Sequence, residues 1–167
     1  MAAKTVFDKT FRSLVDEFGT GPMDDLAINA AGRRMFGRRW GGVGSANASF
    51  PAIPDRFFVL NTDPASKPGV HWVGMYRSPR GQVYAFDSYA RSIRRLIPAA
   101  ARRAEKEGRG PAADANAEAV QTDNSDICGQ LSLAWLNAVR VAGITETNQE
   151  FVRDSAARSA LRAQVAL

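Results

Sequence analysis

The sequence predicts an α+β domain, and three features carry that expectation. Residues 5–18 repeat apolar side chains at helical spacing, three β-rich runs crowd between residues 57 and 86, and a long apolar segment headed by the only cysteine fills residues 128–142. Helix, strands, helix, strand, helix is the order they imply.

In the first segment Val6, Phe7, Phe11, Leu14, Val15 and Phe18 fall on one stripe, and Gly19 is placed to end the helix. Asp24 and Asp25 then precede Leu26, Ala27 and Ile28, acids suited to the positive end of a helix dipole, and Gly32 is expected to close this second helix. Residues 33–54, rich in Gly, Arg and aromatic side chains, read as irregular. Strands are expected at residues 57–60, 70–76 and 82–86, the last two joined through the turn-forming Ser78-Pro79-Arg80-Gly81. Residues 92–107 are basic and alanine-rich, hence helical with an interruption at Pro98, and Gly108, Gly110 and Pro111 mark a loop. A short strand is expected at residues 117–121. Residues 128–142, with Leu131, Leu133, Trp135, Leu136 and Val139 before Gly143, have the length of a buried helix. An amphipathic helix is expected over residues 148–167. No repeat or low-complexity linker divides the chain, so residues 1–167 are expected to form one domain.

At 167 residues, with 45% hydrophobic and 23% charged side chains, the composition is that of a globular protein with a core large enough to fold alone. A single cysteine excludes an internal disulfide, and one cysteine with one histidine cannot build a zinc site of the usual kind, so no metal or organic cofactor is expected. No apolar run approaches the roughly 18 residues of a bilayer span, and residues 1–18 lack the character of a secretory signal. The expectation is a monomer inside the cell, among reduced thiols, without a membrane partner. A net charge of +5 draws the chain toward polyanions, with Arg33, Arg34, Arg38, Arg39 and then Arg91, Arg94, Arg95, Arg102, Arg103 as two clusters able to follow a phosphate backbone.

Cys128 is expected at a helix N-terminus, where the dipole favours a thiolate, and Gly129 after it leaves room for a substrate backbone and for N–H groups to face an oxyanion. His71 is the only imidazole available to serve it as a base. Asp87 follows sixteen residues later (87 − 71), where a hairpin would bring its carboxylate beside the ring to orient it. Gln121, seven residues before the cysteine (128 − 121), offers a side-chain amide to a tetrahedral oxyanion. Trp72 is expected to shield the site and fix the imidazole rather than to react.

His71-Trp72, Phe86-Asp87-Ser88-Tyr89 and residues 121–129, which read Gln-Thr-Asp-Asn-Ser-Asp-Ile-Cys-Gly, closely resemble the adenovirus endopeptidase within the wider clan of ubiquitin-like-protein proteases. Val59-Leu60-Asn61-Thr62 ahead of Gly69-Val70-His71-Trp72 extends the resemblance, which covers roughly residues 20–140. Upstream, Phe36-Gly37, Trp40-Gly41-Gly42-Val43 and Phe50-Pro51 are similar to proteases of adenovirus-like and Polinton-like elements, which points to a viral or virus-derived gene. The resemblance implies a papain-like fold with a central mixed sheet flanked by helices. It also implies a maturation protease that is found in the virion and host cell and cleaves capsid and core precursor proteins after glycine-containing motifs. Activation by DNA or a viral peptide is implied as well. The adenoviral enzyme has glutamate where this chain has Asp87, a swap the ubiquitin-like-protein proteases also make. It also tethers its activating peptide through a second cysteine, which this chain lacks. Two other readings accommodate the same residues: a Cys-His acetyltransferase of the bacterial-effector type, and a basic DNA-binding core protein with a decayed protease fold.

Overall fold

The computed structural model describes residues 2–48, 52–63, 71–108, 110–121 and 125–153. Two helices, α1 (Ala3–Phe18) and α2 (Asp25–Phe36), lead through a 3-10 turn at Gly37–Arg39 into β1 (Trp40–Gly44). There follow β2 (Arg56–Asn61), β3 (Trp72–Arg77), β4 (Val83–Phe86), α3 (Ile93–Leu96), α4 (Pro98–Glu107), β5 (Ala113–Asp114), α5 (Cys128–Ala142) and α6 (Ile144–Asn148). The strands form one mixed sheet in the order β1-β2-β3-β4-β5. Its centre is antiparallel, and each edge strand pairs parallel to its neighbour.

Both faces of the sheet are covered, which explains why the central strands read as continuous apolar runs instead of alternating ones. On one face Phe57, Val59, Tyr76 and Phe86 pack against α1, α2 and α5. On the other, Phe58, Leu60, Val73, Met75, Val83 and Ala85 meet Ile93, Ile97 and the alanines of α4. Each large apolar side chain fully removed from water contributes about 1.5–3 kcal/mol, and Trp135, Phe57, Phe86 and Leu60 are among the largest so buried. The sheet and α1 enclose α5. Gly74 of β3 permits that approach, since a Cβ there would lie 3.2 Å from the Ser132 carbonyl.

The observed bounds of β2, β3, β4, α1 and α5 agree with the expected segments to within two residues, and Gly19 and Gly143 end their helices as expected. Pro98 begins α4 as its first residue, where its missing N–H costs nothing, so the expected interruption is a boundary between two helices.

Four expectations need correction. Gly32 does not close α2, which runs four residues further to a cap at Gly37 with φ 54°. Gly32 is instead the surface on which the Trp40 indole rests, and a Cβ would come within 2.3 Å of that ring, which Asn29 anchors through a 2.8 Å bond from Trp40 Nε1. Residues 33–54 are not wholly irregular, because they include the end of α2 and the edge strand β1. Its Trp-Gly-Gly-Val-Gly has too few side chains to display a period of two. The expected strand at residues 117–121 is absent, and β5 lies earlier, at Ala113–Asp114. Of the helix expected at residues 148–167, the described part is the end of α6 and a π turn at Gln149–Arg153, and residues 154–167 lie outside the described residues.

Candidate active site

The β3–β4 hairpin closes through Ser78, whose N–H donates to the Gln82 carbonyl at 2.8 Å, with Gly81 at φ 90° completing the turn. This sets His71, just before β3, and Asp87, just after β4, at the same end of the sheet. The His71 carbonyl accepts the Thr62 N–H at 2.9 Å, which ties the residue to the end of β2. Its ring bonds through Nε2 to Asp87 Oδ1, and Cys128 lies close enough to act on the same ring.

Cys128 is the first residue of α5, and its Sγ accepts the Trp72 backbone N–H at 3.4 Å. Thiol and imidazole are buried but not sealed off, at 6% and 7% exposure. Burial pushes the His71 pKa down, but hydrogen bonds to Asp87 and Cys128 together with their charges outweigh it and carry the value up to about 9. Burial likewise raises the Asp87 carboxyl, and hydrogen bonds from His71 and Arg91 overcome it and hold the pKa at about 2. At neutral pH the pair is therefore an imidazolium beside a carboxylate.

The loop after β4 is tightly organised. Asp87 Oδ2 accepts both the backbone N–H and the Nε–H of Arg91, each at 2.9 Å. The Asp87 carbonyl accepts from Asn116 Nδ2 and from the Ala90 N–H, both at 2.8 Å. The Tyr89 ring lies 5.5 Å from the His71 ring, and the Arg91 guanidinium lies over Tyr89 at 5.0 Å from the ring centre.

Gln121 is buried, and its amide nitrogen donates to the Ser125 carbonyl and, at 3.3 Å, to Ser125 Oγ, while Oε1 accepts from Ser88 Oγ at 2.7 Å. The amide expected at the oxyanion thus spans the Asp87 loop and the segment leading to Cys128, with its donors turned to Ser125. Residues 122–124 of the motif, and Phe50, Pro51, Gly69 and Val70 upstream, lie outside the described residues.

Gly129 also has a different basis from the expected one. A Cβ there would meet Met23 Cβ at 3.2 Å and Ile28 Cδ1 and Trp72 Cδ1 at 3.4 Å, so the glycine lets the first turn of α5 seat against α2 and β3. The Trp72 indole N–H is bonded to the Met23 carbonyl at 2.8 Å, which seats the ring against the start of α5.

The arginine clusters are partly committed elsewhere. Arg34 pairs with Glu17, Arg39 with Asp55, Arg91 with Asp87 and Arg94 with Glu105, while Arg103 donates to the Ala48 carbonyl at 2.6 Å. Arg33, Arg38, Arg95 and Arg102 are exposed and form no ion pair with a described residue.

The sequence alone gives Ser88, Tyr89 and Ser125 only as parts of the resembling motifs and does not single out Asn116, and it groups Arg91 with phosphate-binding arginines without its pairing to Asp87. The four-residue step from Asp87 to Arg91 was the available signal. Among the described residues no cluster of three or more His, Cys, Asp or Glu could hold a metal, and no helix is long and apolar enough to cross a membrane. No protein-family model matches the chain, and no curated protein matches it.

Proposed function

We propose that this chain is a cysteine endopeptidase with Cys128 as nucleophile, His71 as acid and base, and Asp87 as the carboxylate that orients the imidazole. One observation carries the reading: the chain's only imidazole lies close enough to its only thiol to be shifted by it, and a buried carboxylate is bonded to the same ring. Chance burial of two unrelated side chains does not require that third partner.

In this mechanism the Cys128 sulfur attacks the scissile carbonyl carbon, and the carbonyl π electrons move to oxygen. The Cys128 N–H, which has no partner within its helix at the head of α5, supports that oxyanion. Gln121 adds a second donor once the substrate oxygen takes the place of Ser125. The C–N bond then breaks as His71 gives its proton to the leaving amine, leaving a thioester. Water, losing a proton to His71, attacks the thioester carbon, and the C–S bond breaks to release the carboxylic acid product and free Cys128 for another turnover.

The resemblance to adenoviral endopeptidase supports a finer proposal: maturation of capsid and core precursor proteins at glycine-containing motifs, in the virion and the host cell, by a monomer. The exposed Arg33, Arg38, Arg95 and Arg102 support DNA as an activating polyanion. The test is to incubate the purified chain with a library of glycine-containing peptides, with and without DNA, beside Cys128→Ala. Cleavage that vanishes in the folded variant supports the proposal; equal cleavage by Cys128→Ala rejects it.

A further inference from the structure

We infer that Arg91 is a positioning residue for this site. Its backbone N–H and Nε–H hold Asp87 Oδ2 so that Oδ1 stays on His71, and its guanidinium keeps the Tyr89 ring against the imidazole. The inference rests on the proposed Cys-His-Asp reading and adds to it a residue that acts through Asp87.

A carboxylate with one oxygen on an imidazole remains free to rotate about its terminal torsion unless its other oxygen is held. Here that oxygen receives two donors from a single residue, at 2.9 Å each, while Nη2 approaches Oδ1 at 3.4 Å. The backbone half of the clamp depends on a turn in which Ala90 adopts φ 58°, a left-handed conformation uncommon for a residue with a Cβ. That turn carries the chain back so that the N–H four residues on from Asp87 meets its carboxylate. The side-chain half needs the planar fork of arginine, because a lysine ammonium cannot present Nε–H to the oxygen while lying flat on a ring.

The Arg91 side chain is 46% exposed, so as a plain surface ion pair it would contribute little to stability. Its value is geometric. The groups facing His71 are Asp87 from the end of β4, Cys128 from the head of α5 and the Tyr89 ring from the loop after β4. Arg91 touches two of those three.

Because the chain has one histidine, an NMR titration of its ring proton reports His71 without ambiguity. We would record it in the wild type, Arg91→Met and Arg91→Lys, together with kcat and KM on a cleaved peptide and thermal melts. If Arg91 positions Asp87, both variants lower the His71 titration midpoint toward the ordinary histidine range. In addition kcat falls about tenfold with KM nearly unchanged, and the melts stay close to wild type. An unmoved midpoint in both variants overturns the inference and leaves the protease reading standing. A midpoint that rises in Arg91→Met marks a mere counter-charge, and an Arg91→Lys that matches wild type marks charge without geometry; either overturns it. A wild-type midpoint already near 6.5, the ordinary value, also overturns the inference, whereas the protease reading is judged separately by whether cleavage vanishes in Cys128→Ala.

Discussion

Ser88 and Gln121 hold each other twice: Ser88 Oγ donates to Gln121 Oε1 at 2.7 Å, and the Ser88 carbonyl accepts the Gln121 N–H at 3.0 Å. One serine thereby fixes the amide beside Asp87, since Ser88 follows that residue directly. Ser88 is fully buried, so Ser88→Ala leaves the Gln121 carbonyl oxygen dry and unpaired, at a cost of about 1–3 kcal/mol. Urea unfolding should show that loss at constant m-value. Peptide cleavage should fall further than stability explains, because Gln121 loses its orientation.

The two titrating partners set a pH window for stability. His71 rises from 6.5 to about 9 on folding, so its contribution is whole below 6.5 and fades as pH climbs through 9. Asp87 drops from 3.8 to about 2, so its contribution is whole above 3.8 and fades as pH falls through 2. The pair is fully stabilising between about pH 4 and 6.5. Thermal melts of wild type and His71→Gln across pH 4 to 10 should therefore differ most in that window and converge at the alkaline end. A constant difference would show that the imidazolium is not what the fold stabilises.

The sheet's central strands were legible because Phe57 to Leu60 and Val70 to Tyr76 are apolar runs bounded by turn residues. Cys128, His71 and Asp87 are legible as candidates because Cys128 begins α5 while His71 and Asp87 flank β3 and β4 at the same end of the sheet. Gln121 stands out for its amide, but no strand surrounds it: Val120 and Gln121 give their N–H groups to the single carbonyl of Ser88, not to a strand ladder. Tertiary contacts of that kind leave no period in the sequence. Strand β1 escaped for the opposite reason, since three of its five residues are glycine.

Gly32 offers a sharp stability test. The Trp40 indole, stacked on Phe36 with centroids 5.7 Å apart and bonded to Asn29, occupies the space a Cβ would need. Helix propensity favours Gly32→Ala by about 1 kcal/mol, whereas overpacking against a fixed ring costs about 1–3 kcal/mol or more. The clash should win, giving a net loss in denaturant midpoint. Pairing the change with Trp40→Leu should recover most of it, since the obstacle is then gone.

The proposal that DNA is an activating polyanion has a specific test in the exposed arginines that form no ion pair with a described residue. Replacing Arg33, Arg38, Arg95 and Arg102 with alanine should weaken binding alike for all sequences. For every phosphate that is no longer neutralised, the slope of log affinity against log salt should flatten by about 0.9. Replacing the paired Arg34 and Arg94 instead should change the slope less, since each already has a carboxylate, Glu17 or Glu105, within 2.8 Å. Equal effects from the two sets would remove the distinction between the two kinds of arginine.

Gln121 separates an oxyanion donor from a mere brace. As a brace it joins Ser88 to Ser125, and Gln121→Ala would then disorder the approach to Cys128, lowering the melting temperature and raising KM. As a donor it acts when the tetrahedral intermediate forms, and its loss should cut kcat by about 10²–10³ with KM little changed. Gln121→Glu decides between them. Its carboxylate still accepts from Ser88 Oγ, so the brace is half kept, but it offers no N–H and places negative charge where the oxyanion develops. We expect Gln121→Glu to melt closer to wild type than Gln121→Ala does while losing at least as much kcat; the reverse order would make Gln121 structural and leave the Cys128 N–H as the principal oxyanion donor.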